Sequence, residues 1–270
     1  MARAFSVASW NVEHFKGDPG RVATVVGFLR QQDPDVFALY EVEGKTVFAV
    51  LTQAMPDYSF HITEGPQIQE ILVGVRHGLT AFFTQRTEFK SKDADLRPGA
   101  LLTLTVAGQR YTLLFLHTKS GTTPRGMGLR DDMLDRATAF RKTLDDAAAA
   151  AAPANFIFMG DLNTMGMQYP YDRAIPAGTE LRKLDSMASR RKMRRLGKSA
   201  PATWSNGSGS SIPDSDLDHV VAARHLQFEQ LGGNDVEVRG WPQLPTTGQR
   251  DQWIGTHSDH GLLYFVVQRV

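Results

Sequence analysis

The chain has 270 residues, 41% of them hydrophobic, and a formal net charge of only +1. That apolar content supports a sizeable core and excludes a disordered polyelectrolyte. The near-neutral total gives no global basic field for a polyanion, the lack of cysteine excludes disulfides and thiolate metal sites, and the apolar runs fall far short of the roughly 18 residues of a membrane span.

Residues Met1–Phe5 lead straight into a strand-like run, Phe5–Trp10, which ends at Asn11. That leaves no room for a signal peptide, and cytoplasmic residence is the default expectation. Asp18-Pro19 opens a helix over Arg21–Gln32, with Val22, Val25, Val26 and Leu29 on one face, and Asp33-Pro34 breaks it. The run Val36–Tyr40 ends at Glu41. Strand-like runs follow near 70–76 and 79–84. Leu101–Val106 and Arg110–Leu116 form a hairpin around Ala107-Gly108-Gln109, and its second arm ends at His117. Gly121–Gly128 reads as a Gly-rich loop, and Leu129–Ala152 as one helix with a high-propensity Ala147–Ala152 tail stopped by Pro153. The 155–160 run passes through Gly160 into Asp161-Leu162-Asn163.

Residues 182–198 set Arg182, Lys183, Arg190, Arg191, Lys192, Arg194, Arg195 and Lys198 against one acid, Asp185. With Leu184, Met187, Ala188, Met193 and Leu196 interspersed, the segment reads as an amphipathic helix. It is either a solvated face or a phosphate-backbone contact surface built on Arg190, Arg191, Arg194 and Arg195. A Gly/Ser-rich loop at Ser205–Ser211 precedes strand-like runs at 217–223 and 262–267. The second of these follows Ser258-Asp259-His260. Short turns mixed with crossover helices imply mixed sheets, and no repeat or linker divides residues 1–270, so a single domain is expected.

Several strands thus end in Asn11, Glu41, His117 or Asp161 with Asn163, and the last begins just after His260. A fold that brings these ends to one edge collects carboxylates, carboxamides and imidazoles. Hard oxygens suit Mg²⁺ or Mn²⁺, and imidazoles suit proton transfer near neutral pH. No H-E-x-x-H motif, P-loop or dinucleotide fingerprint occurs.

The blocks Ser9-Trp10-Asn11-Val12, Ala38-Leu39-Tyr40-Glu41-Val42, Phe115–Ser120, Gly160-Asp161-Leu162-Asn163, Asp216–Val220 and Ser258-Asp259-His260 resemble, in order, those of the endonuclease/exonuclease/phosphatase superfamily. The resemblance implies a four-layer α/β sandwich: two packed, mixed and mostly antiparallel β-sheets flanked by helices. It implies that Glu41 is the principal Mg²⁺ carboxylate (Mn²⁺ or Ca²⁺ as alternatives), with Asn11 adding its side-chain oxygen and Asp259 reaching the metal directly or through water. Asp161 would activate or orient the attacking water. Asn163 would bind a phosphoryl oxygen or orient Asp161. His260, fixed by Asp218, would bind the phosphate or handle the nucleophile's proton; the rival assignment makes His219 the functional imidazole. His117 would contact the scissile phosphate with Glu70 as its partner, and Arg97 would contact phosphate. Trp204 fits either the core or a wedge against a sugar or base.

The expected activity is metal-dependent phosphodiester hydrolysis by a monomeric, deoxyribonuclease-like endonuclease, with DNA favoured. Small phosphoesters such as an inositol phosphate or lipid headgroup fit the same chemistry. An inactive phosphate-binding module fits poorly, because the set of reactive residues is complete.

Overall fold

The computed structural model describes residues 2–65, 69–148 and 152–270. In chain order the elements are β1 (Arg3–Phe15), α1 (Pro19–Gln32), β2 (Val36–Val42), α2 (Lys45–Ala54), β3 (Tyr58–Ile62), β4 (Glu70–Arg76), β5 (Thr80–Arg86), β6 (Gly99–Val106), β7 (Gln109–His117), α3 (Pro124–Ala147), β8 (Asn155–Asp161), α4 (Ala177–Arg190), β9 (Met193–Arg195), β10 (Asp218–Ala223), β11 (Glu237–Arg239), α5 (Thr247–Thr256) and β12 (Leu262–Gln268). They form two six-stranded sheets, ordered β11-β12-β1-β2-β4-β3 and β5-β6-β7-β8-β10-β9. Each sheet has one parallel pair, β1 with β2 and β7 with β8, and is otherwise antiparallel.

Strand alternation builds the layers. Phe5, Val7, Ala38, Ile71 and Phe265 of the first sheet meet Leu102, Leu113, Phe115, Ile157 and Val220 of the second in one buried core. The opposite face of the first sheet packs Ala8, Trp10, Phe37 and Leu39 against Val22, Val25, Val26 and Leu29 of α1, and against Trp253 of α5. The outer face of the second sheet packs Leu114, Phe156 and Phe158 against Leu134 and Ala137 of α3 and Leu184 of α4. Helices therefore cover both outer faces, which gives the four layers.

The first helix starts as its sequence signals: Asp18 caps it, accepting from the N–H groups of Gly20 (2.9 Å) and Arg21 (3.3 Å), with Pro19 at the first helical position. Two expectations are corrected. The Gly121–Gly128 loop is only half a loop, because α3 begins at Pro124, capped by the Thr123 hydroxyl. Its glycines are tolerated inside a long helix braced by packing. The helix ends at Ala147; the rest of the expected tail includes residues 149–151, which lie outside the described residues. The basic stretch 182–198 is not one helix either. The helix ends at Arg190, Lys192 turns with φ +54°, and Met193–Arg195 pairs with β10 as an edge strand. Backbone pairing with the exposed edge of β10 outweighs the helical charge pattern there. Among the described residues no helix is long and apolar enough to cross a membrane.

Candidate active site

The inward-facing positions of four strands end at one edge of the sandwich. Asn11 follows the parity of Phe5 and Val7. His117, Asp161 and Asp218 follow that of the core-facing residues Phe115, Met159 and Val220. Register then aligns them, because His117 pairs with Asp161 in the parallel ladder and Asp218 with Asp161 in the antiparallel one. Gly160 is required at φ +143°: a Cβ there would sit 1.9 Å from the Leu116 carbonyl oxygen.

Glu41 reaches the same space by a different device. The β2–β4 register shifts between Leu39 and Val42, and Glu41 has φ +63°. Strict alternation would place Val42 in the inter-sheet core beside Tyr40, yet it packs in the outer layer. The bulge thus re-aims Glu41. A matching shift in β1 follows Asn11, where Glu13 and His14 both have φ +44°. Asn163 adopts φ +48°. Left-handed backbone at non-glycine residues costs on the order of 1–3 kcal/mol each and concentrates where geometry serves function.

Two imidazoles and three carboxylates face one another. His117 Nε2 lies 3.5 Å from Asp161 Oδ2 and 3.7 Å from Glu41 Oε1. His260 Nε2 lies 3.8 Å from Asp161 Oδ2 and 3.9 Å from Asp259 Oδ1. The other nitrogen of His260, Nδ1, bonds Asp218 Oδ2 at 2.7 Å. The backbone of His260 is held as well: Trp10 Nε1 donates to its carbonyl at 2.9 Å, and its N–H donates to Ser258 Oγ at 3.1 Å. Asp259 Oδ2 accepts from Trp204 Nε1 at 2.7 Å, so the half-buried Trp204 orients a carboxylate. The N–H of Asn163 donates to Asp161 Oδ1 at 3.1 Å, while its side-chain amide donates to the Thr118 carbonyl at 3.2 Å.

The electrostatics follow from burial and crowding. Asp161 is raised well above the usual carboxylate range, first by burial and then by Asp218, against the opposing pull of His260 and Asn11. Glu13, at the rim, is raised by burial and by Asp259. Burial disfavours the charged form of His260, but Asp218, Asp161 and Asp259 overcome it and raise its pKa. His117 is driven well down by burial and by the positive charges of Arg97, His260 and Lys119, so it is neutral.

This donor set fits a hard divalent cation. Glu41 and Asp161 both face His117, Asp161 and Asp259 both face His260, and the raised carboxyls of Asp161 and Glu13 report the crowding that a cation would relieve. Ligand atoms of Asp161, Asp218 and His260 also come within 4.8 Å of one another. Asp218 Oδ2 and His260 Nδ1 are engaged with each other, while the Glu41 and Asp259 carboxylates face His117 and His260 from either side of Asp161. Asn11 bonds through both ends of its amide. Its Nδ2 donates to Asp161 (2.9 Å) and Glu41 (3.2 Å), and its Oδ1 accepts from the Glu13 N–H (3.0 Å). The amide nitrogen therefore ties the two carboxylates together, and its oxygen keeps one lone pair free.

Glu70 does not pair with His117 here. Its carboxylate is taken by the Thr63 hydroxyl, and no hydrogen bond joins it to the imidazole; Glu70 Oε1 and His117 Nδ1 are both buried without partners. Arg97 does lie at the site's flank, donating to the Gln69 carbonyl (3.0 Å) and to its side-chain oxygen, while Gln69 Nε2 reaches Glu41 Oε2 at 3.4 Å. Arg190, Arg191, Arg194 and Arg195 are not brought to the site. Arg195 and Arg194 pair with Val221 and Ala222, three and four residues along β10 from Asp218, or roughly 10–14 Å at strand rise. Their guanidinium groups bind Asp185 and Asp235. Arg190 lies at the C-terminal end of α4 and donates to Ser186.

Some contributors carry no sequence signal. His14 donates its N–H to Glu41 Oε2 (3.0 Å), and Gln69 links Arg97 to Glu41. Behind Asp218, the buried Lys198 donates to the Asp218 carbonyl at 2.6 Å and to the Asp216 carboxylate. It also faces His219 Nδ1 at 3.3 Å, and His219 Nε2 lies 2.8 Å from Thr164 Oγ1. His219 is therefore a brace between two loops on the far side of β10, and His260 is the imidazole in the pocket.

Residues 8–260 match the family profile described as Endonuclease/Exonuclease/phosphatase family. The chain belongs to this family. Family members are divalent-metal-dependent hydrolases of phosphoric ester bonds, and the chain is an enzyme of that class. Truncated TDP2 from Caenorhabditis elegans superposes with a TM-score of 0.67 at 15% identity, covering 98% of this chain and 97% of that one. D. rerio TDP2 complexed with a single-strand DNA product gives 0.66 at 16% identity, covering 98% and 99%. A mannosyl-6-phosphatase from Bacteroides thetaiotaomicron gives 0.62 at 14% identity, covering 98% and 100%. At these identities the likeness is one of fold. No curated protein matches the sequence.

Proposed function

We propose that the chain is a Mg²⁺-dependent phosphodiesterase that cleaves nucleic acid, DNA in preference, as an endonuclease. The observation that carries the chemistry is the convergence of Glu41, Asp161 and Asp259 with the imidazoles of His117 and His260 on one buried pocket. A bound Mg²⁺ would polarise a phosphoryl oxygen and offset the charge that develops on it. Its holders would be Glu41 and Asp259. Asp161, raised by burial, takes the proton of the attacking water, and the Asn163 N–H fixes the orientation of its carboxylate. His260, held charged by Asp218, donates from Nε2 to a phosphoryl oxygen. The neutral His117 donates from the nitrogen that faces Asp161 and Glu41.

Support for a polyanionic substrate comes from a cleft of about 450 Å³ beside the site, lined by three cations, Arg97, Lys119 and Arg125, against two acids, Asp93 and Asp95. Arg125 pairs with Asp93, whereas Arg97 and Lys119 form no ion pair among the described residues. Phosphates flanking the scissile bond would meet these cations. A small phosphoester is the second reading, favoured by the fold shared with the Bacteroides phosphatase. The deciding experiment is a substrate panel with Mg²⁺, Mn²⁺ and EDTA: supercoiled plasmid, single-stranded DNA, RNA, bis-p-nitrophenyl phosphate, an inositol phosphate and a hexose phosphate. Nicking of plasmid in Mg²⁺ supports the proposal. Turnover confined to the small esters replaces it with the second reading.

A further inference from the structure

The loop that leaves Asn163 displays two tyrosines to solvent. Tyr171 is 87% exposed and Tyr169 41% exposed, with ring centroids 5.7 Å apart in an edge-to-face pair. Most large apolar side chains of this protein are buried, so two neighbouring exposed rings on one short loop are unusual for it.

The neck of the loop is rigid. Met167 and Ile175 exchange backbone hydrogen bonds of 2.8 Å, and Gln168 N–H donates to the Thr122 carbonyl at 2.7 Å. Gly166, at φ +73°, packs so closely that a Cβ would sit 2.1 Å from the Ile175 carbonyl oxygen. Beneath it, the inaccessible Arg130 bonds Glu180 at 2.8 Å, the Gly166 carbonyl at 2.8 Å and the carbonyls of Lys119 and Gly121. A buried ion pair of this kind contributes little net stability over an apolar replacement, but it does fix geometry. It locks the tyrosine loop to the 119–121 segment, which continues from the catalytic strand end at His117.

Tyr169 also borders a groove, with Tyr171 packed edge-to-face against it. A cleft of about 500 Å³ runs along Thr122, Thr123, Pro124, Tyr169 and Pro170, with Asp172 as its one acid among the described residues. It shares Thr123 with the cleft that holds Arg97, Lys119 and Arg125. The two clefts therefore lead from Gln69 and Arg97 at the flank of the reactive pocket, past Lys119, to Tyr169 and the solvent-exposed ring of Tyr171. A ligand that fills them carries an anion at the pocket, further anionic charge beside it and a flat ring beyond. A single-stranded oligonucleotide has that sequence of groups, whereas a monophosphate of a small sugar does not span them.

We propose that Tyr169 and Tyr171 form a stacking subsite for a nucleobase of a single-stranded nucleic acid, flanking the scissile phosphate; this deepens, and rests on, the nucleic-acid reading above. The rings recognise any base through its face, so the subsite confers strand preference without sequence preference.

The test compares kcat/KM on a single-stranded oligonucleotide and on bis-p-nitrophenyl phosphate, for the wild type and for Tyr169→Ala, Tyr171→Ala and the two Tyr→Phe variants. Base–aromatic stacking of about 1–3 kcal/mol, at about 1.4 kcal/mol per tenfold, predicts a loss of roughly 5- to 150-fold on the oligonucleotide in the alanine variants. Little change is expected on the small diester, and near-normal rates in the phenylalanine variants. A set of oligonucleotides with one abasic nucleotide moved along the strand should show the same loss at one position in the wild type and none in the alanine variants. Equal losses on both substrates, or normal oligonucleotide cleavage by the alanine variants, overturns the subsite while leaving the nuclease reading intact. Wild-type turnover of the small diester without cleavage of any oligonucleotide overturns both.

Discussion

Replacing Asp218 with asparagine removes one charge from the His260–Asp218 pair without changing its volume. The bond is 2.7 Å long, and the side chains are only 6% and 3% exposed, so solvent cannot replace the missing carboxylate. Removing the outer hydrogen-bonding partner of a reactive-site imidazole costs about 10- to 100-fold in activity. We expect kcat/KM on bis-p-nitrophenyl phosphate to fall within that range, because Asp218 acts only through the orientation and charge of His260. The decisive assay is the cycle with His260→Ala. Residues that work as a unit are non-additive, so the double variant should be about as impaired as His260→Ala alone. Losses that multiply independently would refute the pairing and reopen the case for His219.

Three further outcomes follow. Burial, with Lys198 and Arg195 alongside, holds His219 neutral well below its ordinary value of 6.5; the unfolded chain therefore binds a proton that the folded state refuses, and stability present above about pH 6.5 is lost as pH falls. Thermal unfolding from pH 8 to pH 5 should show this decline, and His219→Gln should flatten it; parallel profiles would contradict the assignment. Replacing Arg190, Arg191, Arg194 and Arg195 with serine should leave the salt dependence of DNA binding unchanged, because these groups lie away from the pocket and Arg194 and Arg195 are already paired. Arg97→Ser with Lys119→Ser should instead lower the slope of log K against log salt by roughly 0.7–0.9 for each phosphate no longer neutralised, and the reverse pattern would return the basic stretch to the interface.

Strand ends were the legible part of this molecule. An apolar run that stops at a carboxylate or imidazole leaves its mark in local sequence, so Glu41, His117, Asp161 and His260 could be read as candidates, and the structure gathers them. Mixed sheets and the buried face of the first helix could be read from turns and helical period, while the four layers came only from the family resemblance. What escaped depends on packing between distant segments. The bulge that re-aims Glu41, the His14 and Gln69 hydrogen bonds to it, and the Lys198–His219–Thr164 brace arise from backbone shifts and loop packing that no short window encodes. The 182–198 stretch misled because its charges fit a solvated helix, while edge pairing with β10 took Met193–Arg195 into the sheet. Glu70 was placed by resemblance alone, and Thr63 holds its carboxylate instead.

The central claim is that Glu41, with Asp259, holds a divalent cation required for hydrolysis. Calorimetric titration of the protein with Mg²⁺ and Mn²⁺, run beside activity on bis-p-nitrophenyl phosphate, tests it directly for the wild type and Glu41→Gln. We predict one binding event in the wild type, its loss or marked weakening in Glu41→Gln with near-unchanged thermal stability, and activity abolished by EDTA and restored by the metal. Full turnover in EDTA, or metal binding and activity undiminished in Glu41→Gln, would contradict it.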